Sequence, residues 1–112
     1  MEIRIVESLR KYNQELAAKL KKGMKKPETG IVMTAETFSK VFSPERIKLL
    51  QKIYRNNIKS IYQLAREMDK PYEVVFRNIR YLEGIGLLKI KEDNRRRIPH
   101  LVGKLSIQMF EA

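Results

Sequence analysis

Arg77 and Arg80 stand close to one helical turn apart, on the face of an apolar-periodic segment that its own hydrophobic residues leave free. Val75, Ile79 and Leu82 fall on one side at i, i+4 and i+7. Glu73, Arg77 and Arg80 fall opposite, with Phe76 and Tyr81 on the flanks. A guanidinium can donate two hydrogen bonds to O6 and N7 of guanine, or close on a phosphate. Glu73 can accept from cytosine N4 or pair with Arg77 at i+4. Lys89, Lys91, Arg95, Arg96 and Arg97 form a second basic cluster, suited to a phosphate backbone or to a narrow minor groove. The plain alternative for both clusters is a solvated charged surface. Position favours anion contact: the first opposes a core stripe, and the second gathers at a turn.

The elements that must hold these groups can be read from caps and periodicity. Ser43-Pro44-Glu45 opens a helix, with Ser43 as N-cap and Pro44 at the first helical position, and Ile47, Leu50 and Ile53 as its buried stripe. That helix ends near Arg55-Asn56-Asn57. Ser60 opens the next, whose inward stripe is Ile61, Leu64, Ala65 and Met68. After the break at Met68-Asp69-Lys70-Pro71, a helix carrying Arg77 and Arg80 runs to Glu83, with Gly84 as its left-handed cap. From Leu87 the period changes to two. Leu88 and Ile90 alternate with Lys89 and Lys91, Glu92-Asp93-Asn94 turns the chain, and Arg95-Arg96-Arg97-Ile98 returns as a basic hairpin.

Upstream, residues 3–22 read as one amphipathic helix with Ile5, Leu9, Leu16 and Leu20 near helical spacing, stopped by Gly23. Residues 25–30 are a polar linker, residues 31–34 a short strand, and residues 35–41 one or two helical turns. Leu105, Ile107 and Met109 alternate as a last strand, expected to pair with residues 31–34.

The chain has 112 residues, enough for a single modest core, and 33% of them are charged. Its formal net charge of +11 favours a polyanionic partner. The excess is localised: residues 44–97 carry 14 basic against 7 acidic side chains and residues 1–30 carry 8 against 4, whereas residues 31–43 and 98–112 are each neutral. No apolar run approaches the roughly 20 residues needed to cross a bilayer. Glu7, Arg10 and Lys11 interrupt the N-terminal segment, which therefore lacks the apolar centre of a signal peptide. A cytoplasmic, nucleoid-associated location is expected, without a membrane partner.

Phe42 to Leu50, then Ser60-Ile61-Tyr62-Gln63-Leu64-Ala65-Arg66-Glu67-Met68, then Tyr72, Val75, Leu82-Glu83-Gly84-Ile85-Gly86-Leu87-Leu88 and the basic hairpin resemble small archaeal and bacterial winged-helix transcription regulators. The likeness spans roughly residues 36 to 110. It is close to the MarR-like group, which includes an antitoxin-like DNA-binding subset. It implies an α+β fold, mainly α: a winged helix–turn–helix over 31–112, preceded by an additional N-terminal helix within 1–24 and closed by a short C-terminal strand. The turn departs from the usual pattern, with Met68-Asp69-Lys70-Pro71 in place of a glycine and polar residues.

The resemblance implies sequence-specific binding to double-stranded DNA, as a transcriptional regulator and repressor. Its recognition helix would use Tyr72, Glu73, Phe76, Arg77 and Arg80. Its wing would use Lys89, Lys91, Arg95, Arg96 and Arg97, and Ser60 and Gln63 would meet the backbone. Tyr72 has a competing role closing the core beneath the turn, which is preferred, and capping alone explains Ser60. The stripe Ile5, Leu9, Leu16 and Leu20 either completes the core or, as favoured, makes a homodimer. Non-specific DNA or RNA binding, and an antitoxin-like module with a protein partner, are the alternatives. A single histidine, His100, without cysteine supports no triad and no metal site, so neither enzymatic activity nor a cofactor is expected.

Overall fold

The computed structural model describes residues 1–23 and 30–109. It is an α+β, mainly helical protein with five helices and two small sheets among the described residues. The chain divides into two compact units. One comprises Met1–Lys40 with the chain from Lys104 onward, and the other is Val41–Gly103. Among the described residues no helix is long and apolar enough to cross a membrane.

The first unit is built on a three-stranded parallel sheet. β1 (Glu2–Ile5) lies between β2 (Ile31–Met33) and β5 (Ser106–Gln108). Ile3 faces Ile31 on one side and Ile107 on the other. Parallel neighbours cannot be joined by a tight turn, and the route from β1 to β2 runs through helix α1 (Leu9–Lys21). Gly30 allows β2 its approach, because a Cβ there would stand 3.1 Å from the Glu2 carbonyl oxygen. Ile3 and Met33 are the buried apolar side chains of this unit.

This arrangement corrects two expectations. The helix expected over residues 3–22 is a strand followed by a shorter helix. Glu2 and Arg4 alternate with Ile3 and Ile5, and Ser8 is the true N-cap, its side chain accepting from the Lys11 N–H. Ile5 therefore lies on β1, and the α1 stripe is Leu9, Leu16 and Leu20. The C-terminal strand forms where expected, but its partner is β1 and not residues 31–34, because β1 occupies the centre of the sheet. Of the linker over residues 25–30, only Gly30 lies within the described residues. Residues 35–41 form helix α2 (Ala35–Val41), as expected.

The second unit packs three helices and a hairpin. α3 (Pro44–Arg55) has Ser43 as N-cap, accepting from the Arg46 N–H, and Pro44 in its first turn. Its buried stripe is Leu49, Leu50 and Ile53. Ile47, expected inside, is 39% exposed, and Leu49 takes its place because the helix is rotated about its axis relative to the stripe read from spacing. α4 (Ile61–Met68) buries Ile61, Leu64 and Ala65, with Met68 half-buried. Asp69 supplies the left-handed residue that ends it (φ 53°), a conformation that short polar side chains tolerate. Lys70 N–H closes back on the Ala65 carbonyl, so the turn forms without glycine.

α5 (Tyr72–Ile85) buries Val75, Ile79 and Leu82, and its N-cap is Pro71. It runs through Gly84 and stops at Gly86, whose φ of 100° makes it the left-handed cap in place of Gly84. Leu87 N–H bonds to the Leu82 carbonyl, which pins the helix end, and both side chains are buried. β3 (Leu88–Asp93) and β4 (Arg96–Leu101) follow as an antiparallel hairpin. Its two-residue turn, Asn94-Arg95, has positive φ at both positions, 48° and 68°, as a type I′ turn requires.

Candidate nucleic-acid interface

α5 turns Tyr72, Glu73, Arg77 and Arg80 to solvent because Val75, Ile79 and Leu82 claim the opposite side. Tyr72 is 38% exposed, which corrects its preferred placement in the core. Its ring stacks on half-buried Phe76, with centroids 5.8 Å apart and planes 10° from parallel. Glu73 and Arg77 form no ion pair among the described residues. Arg80 is the engaged arginine, its Nη1 donating to Glu83 Oε1 at 2.9 Å.

Phe76 is the meeting point of helix and hairpin. Arg80 lies 5.1 Å from its ring centre and Arg97 of β4 lies 5.2 Å from it, both within cation–π range. Two arginines expected on different elements of the interface thus rest on one aromatic side chain. Lys89, Lys91, Arg95, Arg96 and Arg97 are all exposed. The ladder sets Glu92 opposite Arg97 and Asp93 opposite Arg96, so five cations stand against two carboxylates around the tip. Neither cross-strand pair closes to an ion pair among the described residues.

Ser60 and Gln63 cap α4 reciprocally. Ser60 Oγ accepts from the Gln63 N–H at 3.0 Å, and Gln63 Oε1 accepts from the Lys59 N–H at 2.8 Å. Their acceptor oxygens serve the helix start, and the Gln63 amide nitrogen keeps its donors.

Spacing alone missed the residues that join these elements into a concave surface. Lys59, Ser60, Tyr62, Gln63 and Arg66 line a groove with Tyr72 and with Arg95, Arg96 and Arg97, enclosing about 900 Å³. Among the described residues, five cations and no carboxylate line it. Tyr62 and Arg66 are one turn apart on α4, outside its core stripe, and that i, i+4 pairing was the available signal. Arg66 lies 6.0 Å from the Tyr62 ring centre. Behind the interface, Arg46 of α3 donates from Nε to Asn78 Oδ1 at 3.1 Å and covers the Tyr81 ring at 4.0 Å, which braces α5. His100 is exposed on β4, opposite Lys89.

These features define a mainly helical α+β protein whose second unit presents one basic helix-and-hairpin face. The HVO_A0114 family model matches residues 41–104, and the chain belongs to the HVO_A0114 family. The matched stretch is nearly coextensive with the second compact unit. Comparison with curated proteins gave no match.

Proposed function

We propose that residues 41–103 are a winged helix–turn–helix that binds double-stranded DNA sequence-specifically, in a transcriptional regulator acting as a repressor. α4 and α5 are the helix pair, α5 is the recognition helix in the major groove, and the β3–β4 hairpin is the wing on the backbone or in the minor groove. The observation that carries this reading is the shared Phe76 ring, which holds Arg80 of α5 and Arg97 of the hairpin on one surface. A helix and a wing must present their cations together to follow one duplex. The MarR-like resemblance has the same order of elements, and the net charge supports a polyanionic ligand. Such a ligand implies a cytoplasmic, nucleoid-associated protein, and the proposal assigns it no reaction and no cofactor.

The dimer belongs to the same proposal. α1 contains no fully buried residue, Leu9 and Leu20 are each 43% exposed, and Leu16 is half-buried. A helix of this length is marginal in water on its own, and pairing with a second copy would cover the stripe.

Selection of bound duplexes from a random pool at physiological salt tests the reading. Enrichment of one operator is the expected outcome. Equal recovery of unrelated duplexes leaves only a non-specific binder. Stoichiometric co-purification of a second protein, with no duplex retained, favours the antitoxin-like alternative.

A further inference from the structure

We propose that the groove beside α4 is a second binding site, for single-stranded nucleic acid. There Tyr62 stacks on an unpaired base, while Lys59, Arg66 and the hairpin arginines hold the flanking phosphodiesters. Among the described residues the lining is one-signed, with five cations and no carboxylate, so its field attracts a polyanion.

Charge alone would suit any phosphate chain, and the aromatic residues narrow the choice. Tyr62 is 62% exposed and takes no part in the α4 core of Ile61, Leu64 and Ala65. Tyr72 borders the same groove with its ring orientation set by Phe76. Exposed rings beside a basic track are the combination by which proteins hold single strands, since every unpaired base has a face to stack. In a duplex those faces are already covered by neighbouring base pairs, and only edges are presented to the grooves. A paired strand can therefore use the cations here but not Tyr62.

The site overlaps the duplex surface only in part. Lys59, Tyr62 and Arg66 line the groove, whereas Arg77 and Arg80 do not; Ser60, Gln63, Tyr72 and the hairpin arginines are common to both surfaces. A protein with both surfaces would be suited to a junction where duplex gives way to a single strand.

The test compares the full chain with its Tyr62→Ala and Tyr62→Phe variants. The probes are a labelled oligothymidylate of about twelve nucleotides, within the span of a typical single-strand site, and a labelled duplex, both at low salt. The chain has no tryptophan, so its emission comes from five tyrosines, and the part of the quenching that disappears in Tyr62→Phe reports stacking on Tyr62. The expected result is binding of the oligothymidylate with quenching, weakened about 5- to 100-fold in Tyr62→Ala and retained in Tyr62→Phe, with duplex affinity unchanged in both. Unchanged oligothymidylate affinity in a folded Tyr62→Ala variant would overturn the proposal. So would equal binding of a base-free sugar–phosphate oligomer, or no oligothymidylate binding at all. Loss of the duplex arm alone, with oligothymidylate binding intact, would remove the duplex reading and leave this one standing.

Discussion

Arg97 of β4 lies 5.2 Å from the centre of the Phe76 ring, so a cation of the hairpin rests on a side chain of α5. Phe76→Leu keeps most of the apolar volume and removes the π face. A double-mutant cycle with Arg97→Ala, read by urea unfolding, should give a coupling of about 0.5–1 kcal/mol. A coupling of zero would show that this contact adds nothing to stability.

Arg95 occupies the second position of the hairpin turn at φ 68°, where glycine is the favoured residue. Arg95→Gly should therefore raise stability by roughly 1 kcal/mol. If the side chain contacts a phosphate, the same variant should bind duplex less tightly, and the slope of log affinity against log salt should fall by about 0.9. A more stable protein with weaker, less salt-sensitive binding is the expected pair of results. An unchanged slope would show that the tip does not touch DNA.

Arg77 and Arg80 are not equivalent. Arg80 already has Glu83 and Phe76 as partners, whereas Arg77 forms no ion pair among the described residues. Arg77→Ala should lose about 1–3 kcal/mol on the best site and relax discrimination at one base position. Arg80→Ala should lose less, since that guanidinium is already committed to Glu83. Affinity profiles across a set of single-base operator variants measure both. A folded double variant with full affinity and unchanged preference would refute the role of α5.

The dimer can be tested on α1 alone. Leu16→Lys together with Leu20→Lys places charge on the stripe without touching β1. The parent should sediment as a dimer at tens of micromolar (roughly where a low-micromolar dimer persists) and the variant as a monomer. A parent already monomeric there would end this part of the proposal.

Much of the second unit was legible because its signals are local. Ser43-Pro44 and Ser60 announce helix starts within a single turn, and the change of period after Leu87 announces the hairpin. Ile5 misled because it lies four residues before Leu9 and thus extends the α1 stripe, although Ser8 intervenes as a cap. Both partners of β1 lie far away in the chain, and spacing carries no information about distant pairing. Gly84 and Gly86, two residues apart, satisfy the same capping rule, and the Leu87 N–H closing on the Leu82 carbonyl goes with the cap at Gly86. The groove is not legible in spacing for a similar reason. Tyr62 and Arg66 look like an ordinary solvated helix face until the hairpin arginines are brought opposite them by the fold.

The parallel sheet also has a consequence during synthesis. β1 leaves the ribosome long before β5, its neighbour on one edge, which begins only at Ser106. At about 5–20 residues per second, roughly 5 to 20 seconds separate the two. Throughout that interval one side of β1 has bare amide and carbonyl groups next to Ile3, while residues 41–103 emerge in between. A nascent chain stalled after Gly103 would thus carry an open strand edge with nothing of its own to close it, and such edges recruit strands from other chains.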